Sequence, residues 1–254
     1  MAFKLTKTVK VLLGACLALF LLQQTADRFM GADIESWLAL VPSGVVLHHR
    51  VWQLITYAFL HGDVTHLILN MLMLVFIGSE IETVWGVRRF LRYYFFCSVF
   101  AGMVYLFLQV FVWGEGGLNV PMVGASGAIY GLLLAYGLMF GERKLLFFML
   151  FPMKAKHFVW ILAAVEFMTT VYSGRSGLAS AAHLAGMAAG FMYLWVRASY
   201  ILVQQRKARI KAGGPGAERA RSKPLKSHLK LVINNERDIK KIMDEDNDRS
   251  GPWN

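Results

Sequence analysis

The sequence has few charged residues and very few cysteines. Charged residues make up 17% of its 254 residues and hydrophobic residues 56%, whereas soluble domains typically contain about 25% charged residues. This composition argues against a soluble domain and predicts a membrane protein that crosses the bilayer several times. Cys16 and Cys97 both lie in apolar runs. Neither a disulfide framework nor a cysteine metal site is therefore expected, and both thiols are predicted to be packing residues.

Several catalytic and metal-binding motifs are also missing. The chain contains no HExxH metalloprotease motif, and the apolar runs lack the carboxylate pair of an intramembrane aspartyl protease. Asp244 and the acids after it resemble the start of a calcium loop, but Arg249 stands where the turn glycine should be. We therefore expect no metal ion and no cofactor.

Six apolar runs predict six membrane-spanning helices, and hence an all-α membrane protein. They lie at about 9–26, 64–81, 90–112, 124–140, 157–172 and 178–202. The segment 144–156 is apolar in its middle and basic at both ends, which favours an interfacial or re-entrant turn. A cleaved signal peptide is the alternative for the first run. No small-x-small cleavage site follows it cleanly, so we favour a retained span.

The distribution of basic residues predicts the orientation of these spans. With the N-terminus inside, the inner segments before the tail hold ten Lys and Arg, whereas the outer segments hold only Arg28, Arg50 and Arg175. This asymmetry is the positive-inside pattern. The net charge of +11 therefore favours cytoplasmic loops and contact with the lipid bilayer over nucleic-acid binding.

The last part of the chain has a different composition. We predict a membrane domain over residues 1–203 and a cytoplasmic tail over 204–254, basic at first and acidic near its end. Gly213–Gly216 predicts a flexible linker, and residues 227–246 are compatible with a short helix. A solvated tail attracted to anionic lipid is favoured over a partner-binding module.

Four polar side chains converge near one membrane face in this layout. Spans two, four and six run from outside to inside, and each carries polar residues near its start: His66, Asn70, Ser126 and His183. Ionisable residues inside spans are costly, and they commonly mark functional sites. Small residues around Ser126 and the glycines after His183 allow two helix backbones to approach closely. That docking would bring His183 towards Ser126.

This combination of residues is suited to nucleophilic catalysis. A neutral imidazole can accept the proton of a serine hydroxyl, so His183 is the candidate base and Ser126 the candidate nucleophile. His66, Asn70 and the backbone N–H of Ser126 are candidate donors to an oxyanion. Each residue alone also has a purely structural interpretation. A transporter using His66, His183 and Glu166 is a second class, but we find neither an inverted repeat nor a broken helix pair.

The motifs resemble those of the rhomboid intramembrane serine proteases. The resemblance covers about residues 10–200 and depends on four pieces: His66-x-x-x-Asn70, Gly124-Ala125-Ser126-Gly127 followed by Tyr130, Ala182-His183-x-x-Gly186-x-x-x-Gly190, and Gly78-x-x-x-Glu82-x-x-x-Gly86. It implies a six-helix bundle with a Ser126–His183 dyad that has no third acidic member. It also implies that Tyr130 packs beside His183, and that His66, Asn70 and the Ser126 backbone bind the oxyanion.

The same resemblance implies the biological setting. The substrates would be transmembrane proteins, cut near the outer end of their helix, and the location would be a bacterial inner membrane with both termini cytoplasmic. No oligomeric state follows from the sequence. A catalytically silent scaffold that binds client helices is the alternative within the family, and the presence of both Ser126 and His183 argues against it.

Two residues depart from simple expectation. Gln53 follows Trp52 where many family members have arginine, which puts in doubt the loop-anchoring role of that position. Glu166 lies about halfway along span five, where an unpaired carboxylate would be costly. We expect Glu166 to be neutral, or to face a wet cavity between spans two and five through which substrate could enter.

Overall fold

A computed structural model describes residues 5–147 and 151–211 of the chain. The chain divides into two compact units, Met1–Phe191 and Met192–Asn254. The residues predicted to carry the chemistry all lie in the first unit. In the second unit, the described residues are the last part of one helix, which ends at Lys211. The linker and short helix predicted for the tail lie outside the described residues.

Helices dominate the described residues. The α-helices are α1 Lys7–Phe29, α2 Ile34–Leu38, α3 Pro42–Val46, α4 Gln53–Thr56, α5 Val64–Met73, α6 Ser79–Trp85, α7 Val87–Phe111, α8 Ser126–Met139, α9 Ala155–Tyr172 and α10 Leu178–Lys211. Short 3-10 turns lie at Tyr57–Phe59, Gly114–Gly117 and Gly174–Gly177. A π-helical turn over Leu74–Gly78 joins α5 to α6, so Val64–Trp85 is one continuous helix.

All six predicted spans are helical. Four helices of the described chain are long and apolar enough to cross a membrane: α1, the continuous helix Val64–Trp85, α7 and α10. The helix α8 has 14 residues, roughly 21 Å at 1.5 Å per residue, which is shorter than a ~30 Å hydrocarbon core. The helix α9 is less apolar because it contains Lys156, His157 and Glu166. Crossing of the membrane by α8 and α9 stays a prediction.

A β-hairpin lies between α8 and α9, so the prediction of an all-α fold is wrong at this point. Strands β1 Lys144–Phe147 and β2 Phe151–Lys154 pair antiparallel, with Lys144 opposite Lys154. Each strand is four residues long, within the usual range for strands, and Pro152 in the second strand disfavours a helix here. Lys154 and Lys156 both form ion pairs with Glu142 at the base of the hairpin. Their hydrogen bonds lower the pKa of Glu142 to about 2.

The helix α8 lies at the centre of the helical packing. It contacts α7 and α9, and its buried residues surround the helix axis: Gly127, Ala128, Ile129, Gly131, Leu132, Leu133, Ala135 and Tyr136. The outer helices instead expose large apolar side chains, such as Val11 on α1, Phe111 on α7 and Trp160 on α9. An apolar surface of this kind is expected where helices face lipid. The two cysteines are free and fully buried, as predicted.

The N-terminus of α1 is held by an acid from α6. The Glu82 side chain accepts hydrogen bonds from the Thr6 hydroxyl and from the backbone N–H groups of Thr8 and Val9. The first N–H groups of a helix have no partner within the helix, so a buried carboxylate satisfies them and favours the helix dipole.

The connection between α1 and α5 is anchored by Gln53, whose side chain is fully buried. Its Nε2 donates to the carbonyl of Ser36 at 2.9 Å, and its Oε1 accepts from the N–H of Val41 at 3.1 Å. Thr56 adds a hydrogen bond to the carbonyl of Leu38 at 2.7 Å. The doubt about loop anchoring at this position is therefore resolved, because an amide makes these contacts without a positive charge.

Replacement of Gln53 should destabilise this connection. In Gln53→Ala, the half-buried N–H of Val41 loses its partner and the carbonyl of Ser36 keeps only Arg50, which costs about 1–3 kcal/mol of unfolding free energy. Thermal unfolding in detergent measures this loss. Gln24→Ala is the matched control, since Gln24 is exposed, and it should change stability by less than about 0.5 kcal/mol. Equal melting temperatures for the two variants would contradict the anchoring role.

Candidate active site

Ser126 is the first residue of α8, and the backbone before it makes an unusual turn. Gly124 has a φ of 121°, a conformation that residues with a Cβ rarely adopt. The N–H of Gly124 donates to the carbonyl of Tyr57 at 2.9 Å, which fixes the turn to the connection between α1 and α5. A side chain at Gly124 would also collide with the imidazole of His66. The glycine therefore lets the chain enter α8 with Ser126 at its N-terminal end.

His183 reaches Ser126 because α8 and the start of α10 pack backbone to backbone. A Cβ on Gly186 would overlap the carbonyl of Gly127, and one on Gly190 would lie 3.3 Å from the Cα of Gly131. Glycine at all four positions allows this approach. The result is the docking that the glycine spacing predicted.

The two predicted catalytic side chains are in direct contact. His183 Nε2 lies 2.8 Å from Ser126 Oγ, within hydrogen-bond distance. Tyr130, one turn after Ser126, stacks on the imidazole with ring centroids 4.2 Å apart and planes 6° apart. The stack was expected from the resemblance, and it restricts rotation of the ring. The arrangement can transfer a proton from the serine hydroxyl to the imidazole.

A carboxylate lies on the other side of the imidazole, which departs from the expected acid-free pair. Glu166 Oε1 is 3.0 Å from His183 Nδ1, and it also accepts a hydrogen bond from the Tyr130 hydroxyl. Glu166 is only 9% exposed. The prediction that it faces a cavity between spans two and five is therefore wrong. The expected cost of an unpaired acid is instead met by pairing with His183.

Of the candidate oxyanion donors, the His66 side chain lies beside Ser126. The site that a Cβ on Gly124 would occupy is 2.8 Å from His66 Nε2 and 3.6 Å from Ser126 Oγ, so both side chains border the same small space. Asn70 follows one turn after His66 on α5 and is 6% exposed. Among the described residues, its Nδ2 has no hydrogen-bond partner. A buried amide donor without a partner is unusual in a resting protein and fits a site that receives an anion.

His61 lies beside this group, and it belongs to none of the motifs recognised in the sequence. Its ring is fully buried and packs edge to face on His66, with centroids 5.1 Å apart. Burial, with a smaller effect from His66, lowers the pKa of His61 to about 4. His61 is therefore neutral at physiological pH. Its spacing of five residues from His66 was visible in the sequence, but its burial was not.

Comparison with known proteins shows which family the chain belongs to. Residues 48–200 match the family described as Rhomboid domain. The chain belongs to the rhomboid family. The matched region contains the motifs around His66, Ser126 and His183, so the residues that border the site are part of the rhomboid domain itself.

The curated relatives that the chain matches include one named as mitochondrial and one named as inactive. "Rhomboid protein 1, mitochondrial" of Saccharomyces cerevisiae is 31% identical over 62% of this chain and 44% of its own length. "RHOMBOID-like protein 4" of Arabidopsis thaliana is 34% identical over 70% of this chain and 41% of its own. "Inactive RHOMBOID-like protein 8" of the same plant is 30% identical over 39% and 24%. The chain thus spans less than half of these relatives, and membership alone does not establish activity.

Proposed function

We propose that this rhomboid is an intramembrane serine endopeptidase. It hydrolyses a peptide bond in or near the transmembrane segment of membrane-protein substrates, with Ser126 as nucleophile and His183 as base. The observation that carries the proposal is the 2.8 Å contact between His183 Nε2 and Ser126 Oγ. A silent scaffold, the alternative raised by the inactive relative, has no need for this contact.

The geometry supports an acyl-enzyme mechanism. Ser126 Oγ attacks the carbonyl carbon of the scissile bond while His183 Nε2 takes the hydroxyl proton. When the tetrahedral intermediate collapses, the C–N bond breaks and His183 returns this proton to the leaving amine. A water molecule then gives a proton to Nε2 and attacks the acyl ester. The ester C–O bond breaks, and Ser126 leaves with the proton.

Three groups are suited to stabilise the oxyanion of this intermediate. The side chain of His66 borders the space beside Ser126 Oγ, Asn70 follows one turn later on α5, and the N–H of Ser126 belongs to the first turn of α8. First-turn N–H groups point out of the helix and carry the positive end of its dipole. The unpartnered amide of Asn70 then donates a hydrogen bond to the oxygen on which negative charge develops.

The membrane setting of this activity depends on the resemblance and on the basic residues. By the resemblance, the substrates are single-span proteins cut near the outer end of their helix, and the positive-inside layout puts Ser126 at the outer end of span four. The expected location is a bacterial inner membrane, with six spans, both termini cytoplasmic and no cofactor. A reporter enzyme that is active only in the cytoplasm, fused after Lys211 at the end of α10, tests the orientation. The fusion should be active.

Labelling with a fluorophosphonate tests the proposed function without a known substrate. The reagent reacts with a serine that is activated by a base and whose tetrahedral adduct meets oxyanion donors. Purified protein in mild detergent should be labelled, and peptide mass spectrometry should find the adduct on Ser126. Absence of labelling, with a known serine hydrolase labelled in the same tube, would favour the scaffold instead.

Loss of one oxyanion donor should reduce the rate without abolishing it. Asn70→Ala should lower kcat on the order of 10 to 10³-fold, because His66 and the backbone N–H remain. Cleavage of a transmembrane reporter at saturating concentration measures the change. Asn119→Ala is the control, since it removes an exposed amide in an outer connection. A kcat equal to that of the control would show that Asn70 only packs.

A further inference from the structure

The carboxylate of Glu166 has a position that the two-residue mechanism does not explain. It contacts His183 on Nδ1 at 3.0 Å, the nitrogen that does not face Ser126. The three side chains therefore form one line of contacts, from Ser126 Oγ through the imidazole to Glu166 Oε1. Glu166 lies on α9 and the other two on α10 and α8, so three separate helices contribute.

The charge balance around Glu166 points to His183 as its functional partner. Within the described chain, the ion pair recorded for Glu166 is with His183, and no Lys or Arg is paired with it. The carboxylate is nearly buried, with 12% of its side chain exposed. A buried carboxylate that has no permanent cation beside it is stabilised most when a neighbouring group becomes positively charged. His183 becomes positive when it has taken the proton of Ser126.

The same contact also selects the proton position on the resting imidazole. A carboxylate on Nδ1 favours a proton there, and Nε2 then presents its lone pair to the serine hydroxyl. Tyr130 supports this geometry in two ways, because its ring stacks on His183 and its hydroxyl donates to Glu166. Both the tautomer and the plane of the imidazole are therefore set before a substrate arrives.

We propose that Glu166 is a positioning residue that completes a Ser126–His183–Glu166 triad in this rhomboid. It holds His183 in the Nδ1–H form and stabilises the imidazolium that forms during attack. No proton passes to the carboxylate in this scheme. The inference depends on the proposed peptidase function. The competing explanation is that Glu166 only attaches α9 to its neighbours.

Kinetics of matched variants separate these explanations. Glu166→Gln keeps the shape but can favour the wrong tautomer, so kcat should fall about 10²–10⁴-fold with KM changed less than about threefold. Glu166→Asp keeps the charge and should recover part of the lost rate. Thr169→Val, on an exposed part of α9, should match the wild type. A Glu166→Gln variant that melts earlier yet keeps the wild-type kcat would overturn the proposal.

The tautomer can be measured directly, even if the variants fold poorly. Nitrogen-15 spectra of histidine-labelled wild-type protein, with the His183 signals identified by their loss in His183→Ala, should show a proton on Nδ1. A proton on Nε2 in the resting enzyme would overturn the proposal. In Glu166→Gln the Nδ1–H signal should weaken or shift, and an unchanged signal would count against the triad.

Failure of this inference differs from failure of the proposed function. If Ser126 labels with fluorophosphonate equally fast in the wild type and in Glu166→Gln, the peptidase stands and the triad is wrong. If the wild type neither labels nor cleaves, the peptidase itself is wrong, and the triad with it. Slower labelling in Glu166→Gln, with Ser126 still the labelled residue, supports both.

Discussion

Ser126→Ala and His183→Ala should each abolish cleavage. The first variant lacks the attacking oxygen, and the second keeps the hydroxyl but has no base within 2.8 Å of it. Because the two groups act in one step, either loss should lower kcat by at least about 10⁴-fold, and the double variant should be no worse than the single ones. A transmembrane reporter with a single cleavable span, reconstituted in vesicles, measures the loss.

Folding controls make this result specific. Both side chains contribute little to the close packing of α8 on α10, which depends on glycines, so each variant should melt within a few degrees of the wild type. His157→Ala provides the matched histidine control, since His157 is exposed on α9, and it should cleave normally. Full turnover by purified Ser126→Ala or His183→Ala would contradict the assignment of these two residues as the catalytic dyad.

Much of the site could be predicted because its parts depend on helix direction and on glycine. Spans that run the same way bring their first turns to one membrane face, and this grouped Ser126 with His183 and His66. Glycines three and four residues apart in a helix either allow a second helix backbone to approach closely or lower the stability of the helix. Because Ser126 and His183 lie next to these glycines and are suited to react together, a close contact between their two helices was the favoured interpretation.

The partner of Glu166 could not be predicted, because a sequence does not give the rotation of a helix that is apolar on every side. The helix α9 has exposed apolar residues such as Trp160 and Val165 close to buried ones such as Phe158. In lipid both faces are apolar, so no polar stripe indicates which side turns inward. Glu166 was recognised as exceptional, but its direction is determined by the packing of α9 on α8.

The errors elsewhere have similar physical reasons. The hairpin of β1 and β2 was missed because its four-residue strands show too little alternation to distinguish them from a turn. The anchoring role of Gln53 was left in doubt because the arginine found in many family members is absent there. Its contacts are hydrogen bonds to backbone groups, which an amide makes equally well.

Gly186→Ala should cause the largest loss among substitutions that leave every catalytic atom in place. The added methyl group would overlap the carbonyl of Gly127, and a backbone group cannot move aside by changing rotamer. The start of α10 must therefore shift away from α8 and carry His183 from Ser126. A displacement of about 1 Å can cost on the order of 10²-fold in rate, and overpacking costs about 1–3 kcal/mol of stability.

The same substitution at a second glycine isolates the effect of close packing. A Cβ at Gly14 on α1 meets nothing within 4 Å, so Gly14→Ala should keep the wild-type rate and gain a few tenths of a kcal/mol from the better helix propensity of alanine. Cleavage and thermal unfolding of both variants are measured side by side. If Gly186→Ala has a lower melting temperature but cleaves at the wild-type rate, His183 must stay in contact with Ser126 when the two helices move apart. The contact between them would then be maintained by Tyr130 and Glu166, and not by the glycine packing.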